Sequence, residues 1–215
     1  VDNVFAFRLK CAIESFNKQK IITAADSTFL FMPAGKQQIV FIENHDTKRF
    51  ASIDNQSLPK LKIGAALNLL LGGIPAIYYG QELGMKGKQL KGTTDGNDIP
   101  IREAFEWYRS DTGRGMAMWY KGTGPWWDST SIKANDGISL EEERKDPGSL
   151  WNYYRKLIQL KKRYPAFAAG RYQSLQNNND QVFSFLRSNG KEHLVVVVNL
   201  SGQQQKAAVV CGENH

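Results

Sequence analysis

Only 2 cysteines occur among the 215 residues, and they stand almost at opposite ends, at Cys11 and Cys211. Two such distant thiols build no disulfide framework. With no CxxC pair and no Cys/His cluster, they also supply no ligand set for zinc. Long apolar runs are lacking too: nothing approaches the roughly 18 residues that a membrane-spanning helix requires. The chain opens VDNVFAFRLK, with neither an initiator Met nor the basic-then-apolar pattern of a signal peptide. It is therefore expected to be a processed protein or a piece of a longer one. Nucleic-acid signatures of the RNP, helix-turn-helix and zinc-finger types are missing, as are internal repeats and low-complexity tracts.

Acidic charge is in moderate deficit, with 21 Asp and Glu against 28 Lys and Arg and a net charge of +7. An excess of that sign raises nucleic acid as a partner. The cations are scattered, however, and only Lys161-Lys162-Arg163 clusters. That cluster ends an amphipathic segment, where cations favour a helix C-terminus. The excess is read as a solvated basic surface, and neither nucleic acid nor a membrane is expected as a partner.

The hydrophobic share of 41% and aromatic share of 11% suit a globular chain of one or two domains. FAFRLKCAIESF, residues 5–16, begins with strand-like spacing and continues with helix-like spacing. A short apolar run at 38–42 predicts a buried strand. Ser57-Leu58-Pro59 starts a helix, with Ser57 as N-cap and Pro59 in the first turn. LKIGAALNLLL, residues 61–71, is apolar on nearly every face and must be covered by other elements. Gly72-Gly73 ends it, and IPAIYY, residues 74–79, follows as a second buried strand with Pro75 near its beginning. Strand, helix and strand in this order predict a βαβ unit of a parallel sheet.

From Gly80 to Gly148 regularity is lost, and an irregular segment of that length is usually functional or holds short hidden elements. Ser149 then caps the helix LWNYYRKLIQLKKRY, which Pro165 closes. Beyond it, residues 171–175, 182–187, 194–199 and 206–210 read as strands. Asn177-Asn178-Asn179-Asp180 and Ser188-Asn189-Gly190 supply hairpin turns. The expected domains are 1–164, an α/β part, and 165–215, an antiparallel β part.

Working residues of parallel α/β folds sit on the loops after the strands. FIENHDTKRF, residues 41–50, places Asn44-His45-Asp46 at such a strand end, and Gly80-Gln81-Glu82 at the next. Asp46 offers a carboxylate, His45 a hydrogen-bonding ring, and Arg49 a cation able to hold a carboxylate in place. The residues alone leave two alternatives open, an ordinary Asn/Asp turn and a metal site. Adjacent His and Asp make a poor chelating pair without further ligands. A Ser-His-Asp arrangement lacks its Gly-x-Ser-x-Gly elbow.

FIENHDTKRF resembles the motif after the seventh strand of the α-amylase superfamily of glycoside hydrolases. GGIPAIYYGQELGMKG, residues 72–87, resembles that superfamily's eighth strand. DNVFAFRL, residues 2–9, is similar to the segment at its sixth strand, and SLWNYYRKLIQLKKRYPAFAAGRY to the last barrel helix leading into a β domain. The resemblance implies the C-terminal portion of a (β/α)8 TIM barrel, followed by an antiparallel β-sandwich domain. It implies a retaining α-glucan hydrolase acting on α-1,4 linkages of starch or maltooligosaccharides, with Asp46 catalytic and His45 and Arg49 binding sugar. Tyr78, Tyr79 and Glu82 take a structural role in closing the barrel. Trp107, Trp119, Trp126 and Trp127 are candidates to stack on glucose rings.

The same resemblance places the nucleophile and the acid/base on strands that would precede Val1, so the amino-terminal half of the barrel is the implied partner. The isolated chain is expected to be inactive. Calcium belongs to many members of the superfamily, but its usual ligands come from earlier segments, so no metal or other cofactor is assigned to these residues. A secreted or periplasmic location is favoured. Other activities of the superfamily (α-glucosidase, cyclomaltodextrinase or transglycosylase) and a non-catalytic carbohydrate-binding fragment stand as alternatives.

Overall fold

The computed structural model describes residues 3–54, 56–92, 94–118, 120 and 131–212. Its strands are β1 (Asn3–Phe5), β2 (Gln37–Val40), β3 (Ile74–Pro75), β4 (Arg171–Leu175), β5 (Val182–Ser188) and β6 (His193–Asn199). Its helices are α1 (Phe7–Glu14), α2 (Lys18–Phe29), α3 (Leu58–Leu70), α4 (Leu140–Glu143), α5 (Leu150–Arg163) and α6 (Pro165–Ala169). Contacts divide the chain into two units. One holds Val1–Ile42, Lys62–Ala76 and Lys156–His215, and the other holds Glu43–Leu61 and Ile77–Arg155.

In the first unit β1, β2 and β3 form a parallel sheet in chain order, with Asn3 opposite Gln37 and Ile39 opposite Ile74. Parallel neighbours need a crossover, and helices supply it here: α1 and α2 between the first pair, α3 between the second. α3 is as apolar as its composition suggests, and every residue from Gly64 to Leu70 is buried. Helix α2 is an element that the apolar spacing leaves unread. Phe16, at φ 48, breaks the chain after α1, and the Asn17 side chain then restarts it by accepting from the Lys20 amide at 3.0 Å. Ile21, Ala24 and Ala25 turn the buried face of α2 inward.

The strand expected at 74–79 is only two residues long. Its partner β2 ends at Val40, whose carbonyl takes the Ala76 amide at 2.8 Å, so no ladder is offered beyond that point. The turn into this strand requires Gly73. Its φ is +63, and a Cβ there would come within 2.4 Å of the Gln38 carbonyl oxygen.

The same unit carries an antiparallel sheet in the order β4-β5-β6. Pro165 does close α5, and it also begins the short helix α6, so the sheet starts only at Arg171. Tyr172, Phe183, Phe185 and Val198 are its buried core, and Phe29 of α2 packs 5.2 Å from the Tyr172 ring. The fourth strand expected at 206–210 is not formed, and a single bridge joins Asn177 and Val209. Side chains of the turn between β4 and β5 take the backbone groups that a ladder would use: Asn178 accepts the Ala208 amide and Asn179 donates to the Lys206 carbonyl.

In the second unit several side chains bond to backbone. Ser52 Oγ accepts from the Gly87 amide at 2.8 Å, and Ser139 with Glu142 forms a capping box on α4. Glu143 accepts from the Trp151 amide at 2.6 Å, at the start of α5. The irregular segment contains 3-10 turns at Gln81–Leu83 and Asp95–Ile101 besides α4. Glu106 is buried within it; burial first, then the charges of Asp136, Glu103 and Glu142, push its carboxyl up to about 8. Among the described residues no helix is long and apolar enough to cross a membrane.

Candidate functional site

Beyond Val40 the chain runs through buried Phe41 and Ile42 to Glu43, which turns inward and is almost wholly buried. A carboxylate there must be paired. Arg49 supplies the pairing: it is fully buried, and its Nη1 donates to Glu43 Oε1 at 2.8 Å and to the Tyr79 carbonyl at 2.6 Å. The other Glu43 oxygen accepts from the Phe50 amide at 2.6 Å. The guanidinium carbon lies 4.2 Å and 4.7 Å from the ring centres of Tyr78 and Tyr79. Burial pushes the Glu43 carboxyl up while Arg49 pulls it down, and the upward push is the larger. Glu82, half-buried with one oxygen unpartnered among the described residues, is also pushed up by burial, and Arg49 again opposes the shift.

This buried frame closes off a short loop whose side chains point outward. Asn44 Oδ1 accepts from the Asp46 amide at 3.0 Å, and Thr47 Oγ1 accepts from the Asn44 amide at 3.1 Å. The loop is thus an Asx turn that fixes the backbone of Asp46. The Asp46 side chain is 58% exposed, with Oδ2 3.3 Å from His45 Nε2 and Oδ1 3.4 Å from Arg102 Nη2. Arg102 also bonds the His45 carbonyl at 2.9 Å and Asp98 at 3.0 Å. Gln89 donates to both the Asp46 carbonyl and Asp98. Ion pairs this exposed add little stability. Their effect is orientation: a solvent-facing carboxylate is flanked by a ring nitrogen and a guanidinium, an arrangement suited to polyhydroxyl ligands.

The structure brings His45 and Asp46 together at the strand end and does not bring Arg49 to them. Arg49 was expected against a sugar, but its side chain has no solvent exposure, and the carboxylate it holds is Glu43. The buried acid partner and the two tyrosine faces offset the cost of taking the guanidinium out of water. The exposed cation of the group is Arg102, in the irregular segment that sequence reasoning leaves unassigned. The spacing of Asp98 and Arg102, four residues apart, is the one signal that could have found it.

The second expected strand-end group, Gly80-Gln81-Glu82, does lie beside the first. The Arg49 side chain donates to the Tyr79 carbonyl, and its backbone amide donates to the Gly87 carbonyl. Trp107 is 42% exposed, with its ring 4.4 Å from that of Phe105. Trp119, Trp126 and Trp127 lie outside the described residues. Among the described residues no group of three or more His, Cys, Asp or Glu converges in a way that would hold a metal ion.

Comparison with known proteins matches residues 3–170 to the alpha amylase catalytic domain and residues 172–213 to the alpha amylase C-terminal all-beta domain. "Alpha-amylase 3" of Dictyoglomus thermophilum is 30% identical over 162 residues, covering 75% of this chain and 30% of that protein. "Probable oligo-1,6-glucosidase 3" of Bacillus subtilis is 28% identical over 192 residues, covering 76% and 34%. The crystal structure of an alpha-amylase from H. orenii superposes with a TM-score of 0.72 at 28% identity, over 93% of this chain and 39% of that one. The chain thus spans about a third of the length of the curated relatives it matches.

Proposed function

The chain belongs to the alpha-amylase family, and on that premise we propose that it supplies part of the active site of a retaining α-glucan hydrolase. The observation that carries this reading is the exposed Asp46 carboxylate, fixed by an Asx turn at a parallel strand end and flanked by His45 and Arg102.

A retaining glycosidase requires two carboxyl groups about 5–5.5 Å apart, one to attack the anomeric carbon and one to protonate the leaving oxygen. In this proposal both lie on barrel strands outside residues 1–215, and Asp46 is the third carboxylate. It accepts hydrogen bonds from the 2- and 3-hydroxyls of the reacting glucose. Those bonds strengthen as the ring flattens and positive charge builds, so they favour the transition state over the ground state. His45 Nε2 bonds the same sugar. Arg102 holds the carboxylate between its partners, and Arg49, from the interior, positions the loop through Glu43 and Tyr79. The substrate is an α-1,4 glucan of the starch type.

The test is product analysis with the intact enzyme on starch, maltose, isomaltose and cyclodextrin, following the anomeric configuration by proton NMR. Release of α-anomeric maltooligosaccharides from starch is expected, together with no turnover by residues 1–215 alone. β-anomeric products would overturn the retaining mechanism. Preferential cleavage of isomaltose would move the specificity to α-1,6 links, as the name of the second relative suggests for that protein.

A further inference from the structure

Within the first unit, a cleft of about 510 Å³ at the N-terminal ends of β2 and β3 is lined by Phe29, Lys36, Gly73, Gly170, Arg171 and Arg187, among others. Arg187, on β5, is only 3% exposed. Its Nη1 donates to the Leu71 carbonyl at 2.9 Å, at the C-terminal end of α3. It lies so close to the backbone that a Cβ on Gly72 would stand 2.7 Å from it. Among the described residues its Nε has no partner and Arg187 forms no ion pair.

A buried guanidinium is ordinarily matched by a carboxylate, because an unpaired buried charge is costly. A whole helix C-terminus offers only about half a unit of negative charge, and the Leu71 carbonyl meets one of the five N–H donors of the guanidinium. Asp26, on the neighbouring α2, accepts from Ser174 and does not pair with Arg187. The surroundings add positive charge. Lys161, half buried with its ammonium on the Phe167 carbonyl, is lowered to about 8 by burial and by the charge of Arg187. Lys36 and Arg171, both exposed, line the cleft as well.

We propose that this cleft binds a small oxyanion, phosphate or sulfate in class, with Arg187 as its buried anchor and Lys36 and Arg171 at its mouth. The planar guanidinium fork suits a tetrahedral oxyanion, and an occupant would supply the negative charge that the described residues do not bring to Arg187. The site is independent of the Asp46 loop and of any glucan chemistry.

Inorganic phosphate titrated into the protein at fixed ionic strength, balanced with sodium chloride, tests the proposal by calorimetry and by thermal midpoint. Saturable binding and a rising midpoint are expected. The double substitution Lys36→Gln/Arg171→Gln, at exposed positions and with circular dichroism to check the fold, is expected to weaken binding by about tenfold or more. Absence of saturable binding in the unsubstituted protein would overturn the site, as would unchanged binding in the double variant.

Discussion

Arg49 and Asp46 stand three positions apart, and the structure gives them opposite environments: one with no exposed surface, the other more than half exposed. Nothing in the run Asp-Thr-Lys-Arg separates them, because a loop has no periodicity to say which side chain faces in. Residue chemistry named Asp46 and His45 as candidates, and in the structure both follow β2 and lie side by side. It could not see that Glu43, the first residue after the apolar run, needed Arg49 as its buried counter-ion. The consequence is a contrast in stability. Glu43→Gln leaves a buried guanidinium without its full partner and is expected to cost about 3–5 kcal/mol. Asp46→Asn, at an exposed position, is expected to change stability by no more than about 0.5 kcal/mol. Chemical denaturation of both variants measures the difference, and equal costs would contradict the division into buried frame and exposed site.

At the scale of elements, helices with strong punctuation were legible. α3 has Pro59 in its first turn, and the Ser149 hydroxyl accepts from the Asn152 amide at the start of α5. α2 was not legible, because its start depends on Phe16 in a left-handed conformation that phenylalanine rarely adopts. Strand β3 was overestimated for a different reason: composition marks six residues as strand-like, but pairing depends on how far the neighbouring strand runs. The connection from α3 into β3 is set by Gly73. Gly73→Ala combines a left-handed φ with a clash against the Gln38 carbonyl, and is expected to destabilise the chain by about 2 kcal/mol or more. A lowered urea midpoint with an unchanged slope would show it. An unchanged midpoint would mean that the turn can relax, and that the close approach is not a constraint.

For the whole molecule, one parallel pair with its crossover helix, β2-α3-β3, and the antiparallel strands β4 to β6 were readable from periodicity and turn residues, while the pairing of β1 with β2 across α1 and α2 left no such trace. The grouping of residues into two units was not readable either. Glu43–Leu61 and Ile77–Arg155 come together through bonds such as Gln89 to Asp46 and Arg102 to His45. Those bonds join distant segments and leave no periodic trace. That is why Arg102 escaped the sequence and Asp46 did not. The account therefore rests on Asp46 as the carboxylate that recognises the reacting sugar, and on Arg49 as structure.

Steady-state kinetics of Asp46→Asn in the intact enzyme, on a maltooligosaccharide and with circular dichroism to check the fold, test that claim most directly. Loss of one preorganised group of this kind is expected to lower kcat/KM by about 100- to 1000-fold, with most of the loss in kcat and the fold intact. A kcat/KM within about twofold of the unsubstituted enzyme would contradict the account.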